Sequence, residues 1–187
     1  MIKLHWISIS IYSLMTLISY PKDLVDRNYN KISSDKNIIH KKEHLCDFWR
    51  KCNQPSQSIE DLNRVRELRI GSNSLIILPE FNGQFTHLDK LFASFNQLTT
   101  LPQTIGNLSN LSELYLSFND LNILPESLGN LLKLTKLDLS YNQLTTLPET
   151  IGNLKNLEVL WIMGNNFSQE EVQKVKQQLP NCIIKYR

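Results

Sequence analysis

Apolar and polar positions follow one fixed pattern along most of the chain, and this pattern repeats every 23 residues. Three stretches that begin at Leu88, Leu111 and Leu134 align without a gap, and the period extends outward to units that begin at Val65 and Leu157. The consensus unit reads L-x-x-L-x-L-x-x-N-x-L-x-x-L-P-x-x-I-G-x-L-x-x. Repetition at this length predicts stacked units that share one continuous core.

The first half of each unit alternates apolar and polar residues, which is typical of a strand with one buried face. In the third unit Leu111, Leu114 and Leu116 are expected to point into the core, whereas Glu113 and Tyr115 are expected to point outward. Successive units therefore predict short parallel strands that line one face of a solenoid.

The second half of each unit predicts a turn and an irregular return across the core. The amide of Asn119 is expected to bond to backbone groups at the bend, which would otherwise be buried without partners. Pro125 suits an extended return segment, and Gly129 is expected to permit the close turn that restarts the unit. Four leucines of this half are expected in the core: Leu121, Leu124, Leu128 and Leu131.

The front of the array lies within residues 58–64, which align with half a repeat. The first full unit departs from the consensus at Asn82, where Phe81 is expected to take the core position instead. Residues 21–57 are interpreted as a linker and a helical cap over the first leucines. The apolar residues assigned to that helix are Ile38, Ile39, Leu45, Phe48 and Trp49.

The back of the array is expected to end in a second cap, residues 168–187, so the repeats occupy residues 58–167. Ser168 followed three residues later by Glu171 is an N-cap signature of a helix, and Pro180 stops that helix. Ile183 and Ile184 then predict a last short strand. The resulting fold class is an α/β repeat with parallel concave strands, irregular convex returns and helical caps at both ends.

Composition and charge exclude some functions. The chain has 187 residues, and 41% apolar content is ample for a continuous core. Twenty Lys and Arg against 18 Asp and Glu leave a net charge of +2, which is too small for the basic footprint of a nucleic-acid-binding protein. We therefore expect no nucleic acid among the partners.

Residues 1–20 are the targeting candidate, because Lys3 and His5 precede an uncharged run from Trp6 to Pro21. This arrangement fits a signal peptide, so we expect an exported or surface-associated protein, with a cytoplasmic protein as the alternative. Serine and threonine dilute the run too much for a stable membrane span. The alternative interpretation of the same run is an ordinary amphipathic strand.

Cys46, Cys52 and Cys182 lack the spacing of a zinc site, so no metal or other cofactor is expected. In an exported protein Cys46 and Cys52 could close a small loop in the N-terminal cap and leave Cys182 single. Three reduced thiols are the alternative. No catalytic set of Ser, His and Asp and no glycine-rich phosphate loop can be assembled from the sequence, so an enzyme is not expected.

The best candidate binding residues share one outward strand position. Counted from the first residue of each unit, position five forms the position-five column: Arg69, Phe92, Tyr115, Asp138 and Trp161. Aromatic and arginine side chains on an exposed rigid sheet are the types that dominate protein interfaces. The alternative is aromatic stacking across strands that only stabilises the sheet.

Two further outward columns flank this one. The position-eight column is Ser72, Phe95, Phe118, Tyr141 and Gly164, of which Phe95, Phe118 and Tyr141 are secondary candidates for partner contact beside their simpler interpretation as spacers near the Asn turn. The position-three column, Glu67, Lys90, Glu113 and Lys136, alternates in sign and predicts a ladder of ion pairs.

Residues 58–167 resemble the leucine-rich-repeat superfamily, and the specific match is the L-P-x-x-I-G-x-L segment, as in residues 101–108. The units look like those of small bacterial proteins, whose arrays end in a helix followed by Leu-Pro-x-Cys, here residues 179–182. Similar units also occur in eukaryotic scaffolds of Ras signalling. The resemblance implies a module that binds a partner. Together with the strand columns, it leads us to expect a non-enzymatic, monomeric protein that binds a protein partner on the concave strand face. The alternative is an intracellular scaffold or regulator of a signalling protein such as a small GTPase.

Overall fold

The computed structural model describes residues 38–40, 64–78, 80–81 and 85–187. These residues all lie in one compact unit, residues 33–187. They form a parallel sheet of seven strands in which every strand pairs with the next one along the chain. Parallel neighbours need a crossover connection, so a return segment joins each strand to the next. The first and last strands do not pair with each other, and the sheet is open, as in a solenoid.

The strands are three residues long and keep one register throughout. The middle residue of each strand pairs with the middle residue of the next, as Leu91 does with Leu114. Equivalent positions of successive units therefore lie side by side. The strands are β1 (Ile38–His40), β2 (Glu67–Arg69), β3 (Lys90–Phe92), β4 (Glu113–Tyr115), β5 (Lys136–Asp138), β6 (Val159–Trp161) and β7 (Ile183–Lys185).

The core contains the leucines that the pattern assigned to it. Leu111, Leu114 and Leu116 are fully buried, and the leucines of the return in the same unit are buried as well. In the first unit Phe81 is also fully buried, and its ring meets the ring of Phe85 edge to face at 5.7 Å. The prediction that Phe81 takes the core position near Asn82 is thus confirmed.

The predicted asparagine ladder is confirmed as well. The side-chain oxygen of Asn119 accepts a hydrogen bond from the backbone amide of Leu98 at 3.1 Å, in the preceding unit. Its amide nitrogen donates to the carbonyl oxygens of Ala93 at 3.0 Å and Leu116 at 2.9 Å. The same pattern recurs at Asn96, Asn142 and Asn165. Each asparagine therefore joins two units and satisfies buried backbone groups of both.

Three returns are more regular than the sequence predicted, since each contains a 3-10 helix of five residues. These are η1 (Gln103–Asn107), η2 (Glu126–Asn130) and η3 (Glu149–Asn153), and each follows an extended proline. The glycine in each helix does not have a positive φ. A Cβ at Gly106 would lie only 2.5 Å from the carbonyl oxygen of Ser127. Glycine at this position therefore permits close packing between units, and the expected turn is not its role.

The C-terminal end of the array is covered by α1 (Gln169–Gln178) and β7. The hydroxyl of Ser168 accepts a hydrogen bond from the backbone amide of Glu171 at 3.1 Å, which is the capping interaction expected from the sequence. Val172 and Val175 of this helix are buried against the core. No helix in the described residues has the length and apolar character that crossing a bilayer requires.

The helix predicted to include Ile38 and Ile39 is wrong at those two residues. Ile38–His40 is strand β1, which pairs in parallel with Glu67–Arg69 of β2. Two consecutive β-branched residues favour a strand, and the exposed edge of β2 offers backbone groups for it to pair with. Leu45, Phe48 and Trp49 lie outside the described residues, and so do the predicted signal peptide, residues 1–20, and the pair Cys46 and Cys52.

Candidate functional site

The strand register brings the whole position-five column together. Arg69 pairs with Phe92, Phe92 with Tyr115, Tyr115 with Asp138, and Asp138 with Trp161. Parallel neighbours of this kind lie about 4.8 Å apart. The five residues predicted from the sequence are therefore one continuous row on the strand face.

The first three members of this row form a stack. The rings of Phe92 and Tyr115 are nearly parallel, with centroids 4.8 Å apart and an angle of 5° between planes. The guanidinium carbon of Arg69 lies 4.2 Å from the centroid of the Phe92 ring. Arg69 and Tyr115 are on the strands that flank the strand of Phe92 on opposite sides. Phe92 and Tyr115 are half-buried, and their contact is the cross-strand stacking that the sequence left open as the alternative to a binding role. The register explains this, since it places the two rings at contact distance.

The stack ends at Tyr115, because the next residue of the row is Asp138. Its carboxylate accepts a hydrogen bond from the backbone amide of Ser140 at 3.0 Å. Trp161, half-buried, lies beyond Asp138 and has no ring or cation contact with the stack among the described residues. Lys185 of β7 pairs with Trp161 and His40 of β1 pairs with Arg69, so the row extends by one residue at each end. The 23-residue pattern does not place Lys185 in this row, although Ile183 and Ile184 indicate a strand there.

A network of charges fixes the stack from the neighbouring column. One carboxylate oxygen of Glu113 accepts hydrogen bonds from the ammonium groups of Lys90 and Lys136, each at 3.2 Å. The predicted ion-pair ladder is confirmed for these three residues. The other oxygen accepts a hydrogen bond from the hydroxyl of Tyr115 at 2.9 Å. Glu67, the remaining member of the column, pairs with Arg69 of its own strand. Both ends of the Arg69–Phe92–Tyr115 stack are thus held by carboxylates.

The same network shifts the pKa values of Glu113 and Tyr115. Burial disfavours the charged form of Glu113, but hydrogen bonds from Tyr115, Lys136 and Lys90 outweigh burial and lower the pKa of its carboxyl below the ordinary value. Burial of the phenol, together with its hydrogen bond to Glu113, raises the pKa of Tyr115 to about 12. Tyr115 is therefore a neutral hydrogen-bond donor and Glu113 a carboxylate at neutral pH.

The position-eight column forms a second aromatic stack. The rings of Phe95 and Phe118 lie 4.5 Å apart, and those of Phe118 and Tyr141 lie 4.4 Å apart, both nearly parallel. Their exposed fractions are 57% for Phe95, 43% for Phe118 and 50% for Tyr141. This column is thus more exposed than the position-five column, which the sequence had ranked first.

The backbone explains why the position-eight rings project outward. All five residues of the column have a positive φ, between 54° and 64°. This left-handed conformation is unfavourable for residues other than glycine, and it is held here by ladder hydrogen bonds such as that from the amide of Phe95 to the carbonyl of Ser117 at 2.9 Å. Hydrophobic patterning carries no signal for this conformation.

A polar cavity of about 380 Å³ lies at the amino-terminal edge of the strands. Its polar groups bond to one another: Ser112 donates to the Asp89 carboxylate, and Lys133 donates to Asn110 at 2.6 Å. The lining residues are Arg66, His87, Asp89, Asn110, Ser112 and Lys133. His87 lines the same cavity, but its ring nitrogen is hydrogen-bonded to Thr86 at 3.1 Å, whereas the Ser112 hydroxyl donates to the Asp89 carboxylate. Among the described residues no hydrogen bond joins Ser112 to His87, so the two side chains do not form a serine–histidine pair.

The described residues hold no group of three His, Cys, Asp or Glu that could bind a metal ion. Cys182 is a free thiol in this part of the chain, and burial raises its pKa to about 11, so it is a poor nucleophile.

The comparisons with known proteins agree with this architecture. The chain matches the family described as leucine-rich repeat region over residues 44–184. No curated protein matches it. A solved leucine-rich-repeat protein of Leptospira interrogans is similar, with 40% identity and a TM-score of 0.65, over 67% of this chain and 32% of that protein.

An internalin of Listeria monocytogenes shares the fold, with 21% identity and a TM-score of 0.56, over 70% of this chain and 37% of that protein. The chain thus spans about a third of the length of these two solved proteins. Proteins of this fold are typically interaction modules without enzymatic activity. With a family match over more than half of its length, the chain belongs to the leucine-rich-repeat family.

Proposed function

We propose that this chain binds a protein partner on the concave face of its strands, through the position-five column. The observation that supports the proposal is the Arg69–Phe92–Tyr115 stack, which lies on this face and is held at both ends by Glu67 and Glu113. Arginine and tyrosine are the residue types enriched in interface hot spots.

Preorganisation makes this surface suitable for binding. A mobile side chain loses conformational entropy when a partner immobilises it, at a cost of about 0.5–1.5 kcal/mol. The rings of Phe92 and Tyr115 are already fixed by each other and by the Glu113 network. Most of this entropy is therefore lost already during folding. Each contact with the partner then contributes more to the affinity than a contact made by a mobile side chain would.

The size of the array limits the number of residues that can contribute. A standard interface buries roughly 800 Å² per partner, and the described strands offer a short row for such a contact. Few residues must then carry the affinity, and those at the centre carry most of it. Tyr115 lies at the middle of the position-five column, between Phe92 and Asp138.

Truncation of Tyr115 tests the proposal once a protein partner has been isolated by pull-down with the full chain. We expect Tyr115→Ala to weaken binding at least about thirtyfold, since loss of a central anchor typically costs at least 2 kcal/mol. Isothermal titration calorimetry measures the change. Tyr115→Ala also removes a stacked ring and a hydrogen bond to Glu113, so thermal unfolding must show that the variant is folded at the assay temperature.

Two matched variants complete this test. Tyr115→Phe keeps the ring and removes only the hydroxyl, so it separates loss of the ring from loss of the Glu113 hydrogen bond. Lys155→Ala changes an exposed charge of a return and should leave the affinity unchanged. If Phe92, Tyr115 and Trp161 can all be replaced by alanine in a folded protein with unchanged affinity, the concave face is not the binding surface.

A further inference from the structure

The position-eight stack has two outer ring faces, and the structure closes one of them. In a row of three parallel rings, the inner faces cover each other, so only the outer faces of Phe95 and Tyr141 remain. A Cβ at Gly164 would lie 2.6 Å from a ring carbon of Tyr141. The Tyr141 ring therefore occupies the space beside the Gly164 backbone, and its outer face is covered.

In the part of the chain that the structure describes, no ring or cation covers the other end of the stack. The position next to Phe95 in the column is Ser72, which has the same left-handed backbone (φ 57°) but only a short, exposed side chain. Phe95 is the most exposed of the three rings. Among the described residues its ring contact is with Phe118 alone. The column thus lacks a planar group where the next rung would lie.

The neighbouring column shows which group completes such a stack in this molecule. In the same first unit, Arg69 places its guanidinium 4.2 Å from the centroid of Phe92. The face of an aromatic ring is electronegative, and a planar, weakly hydrated guanidinium stacks on it more favourably than an ammonium group does. The first unit therefore covers the position-five stack with arginine and leaves the position-eight stack uncovered.

We propose that the outer face of the Phe95 ring, beside Ser72, binds an arginine side chain of the protein partner. This inference rests on the proposed function, because it adds a second contact at the same concave surface. It assigns the partner one chemical requirement, a guanidinium that continues the ring stack.

The experiment uses the full chain with ¹³C-labelled phenylalanine rings, observed by NMR, and no partner. N-acetyl-arginine amide, N-acetyl-lysine amide and N-acetyl-tyrosine amide are titrated separately, and Phe95→Leu assigns the Phe95 signals. We expect the slope of the Phe95 shift with the arginine compound to exceed that with the lysine compound by about threefold, because a planar, weakly hydrated guanidinium stacks on the ring face better than an ammonium group does, by an amount comparable with one exposed cation–π contact. Phe118, whose two faces are covered, should respond less.

Substitutions at Ser72 test the position directly. Ser72→Arg should abolish the Phe95 response, because the introduced guanidinium fills the open face, whereas Ser72→Ala should preserve it. Equal slopes at Phe95 and Phe118, equal responses to arginine and lysine, or a larger response to tyrosine would overturn the proposal. The two proposals can fail separately. If one of these results is obtained and Tyr115→Ala still weakens partner binding, the arginine site at Phe95 is rejected and the concave binding site is retained.

Discussion

Single asparagines connect the units of this solenoid. Each one accepts a backbone hydrogen bond from the preceding unit and donates to carbonyl oxygens of both units, as Asn119 does for Leu98, Ala93 and Leu116. Such backbone groups are costly when they are buried without partners. One side chain thus satisfies three backbone groups at a bend that local secondary structure leaves open.

Replacement of one ladder residue measures this contribution. Asn119→Ala should lower the free energy of unfolding by at least about 2 kcal/mol, because it leaves several buried backbone groups without partners. Urea denaturation gives the value. The matched control is Asn122→Ala, since Asn122 is an exposed asparagine of the same unit, and its loss should be nearly neutral. Equal effects of the two substitutions would show that the ladder does not stabilise the fold.

At the scale of elements, the stacking of neighbouring units depends on close packing between their 3-10 helices. A Cβ at Gly129 of η2 would lie 2.5 Å from the carbonyl oxygen of Thr150 in η3. At Gly152 of η3 the neighbour is α1, and the nearest atom to a Cβ would be the Gln178 Cβ at 3.5 Å. The same consensus glycine is therefore required between two repeats and is not required beside the terminal helix.

This difference predicts opposite outcomes for one substitution at two equivalent sites. Gly129→Ala should destabilise the protein by about 1–3 kcal/mol, as expected when a methyl group is forced into a packed contact. Gly152→Ala should leave stability unchanged or raise it by up to about 1 kcal/mol, since alanine restricts the unfolded chain. Chemical denaturation of the two variants under one set of conditions checks this. A loss at Gly152 as large as that at Gly129 would contradict the packing argument.

At the scale of the whole molecule, stability comes from stacking, because no unit of this length can bury its own leucines. The buried side chains from Val65 to Leu179 form one continuous cluster. The described part of the chain is thus expected to unfold as a unit. It also presents the position-three, position-five and position-eight columns as one rigid surface, which separate units could not do.

Truncation of one core leucine should lower the free energy of unfolding of the whole array. Leu116→Ala should cost roughly 2–5 kcal/mol, the usual loss for a fully buried leucine. Leu132→Ala is the control, because Leu132 is 57% exposed, and it should change stability by less than about 0.5 kcal/mol. Circular dichroism during urea denaturation measures both, and a cost below about 1 kcal/mol for Leu116 would mean that the register is wrong.

The amino-acid sequence by itself determined the repeat, the strand positions, the buried leucines, the asparagine ladder and the position-five row. These features depend on periodicity, and a period of 23 residues forces equivalent residues into neighbouring places in any stacked arrangement. The substitution of Phe81 for the irregular Asn82 could be predicted in the same way, because a core position must be filled by some apolar side chain.

Only the tertiary structure decided what the side chains do once the units have stacked. It placed Phe92 on Tyr115 and under Arg69, made the position-eight rings the more exposed ones, and turned Ile38–His40 into an edge strand. It also showed that Gly129 is needed for packing against the next unit. Periodicity reports which face a residue lies on. The distance between two side chains of different units depends on backbone dihedrals, rotamers and sheet register, and these are settled only when the units pack together.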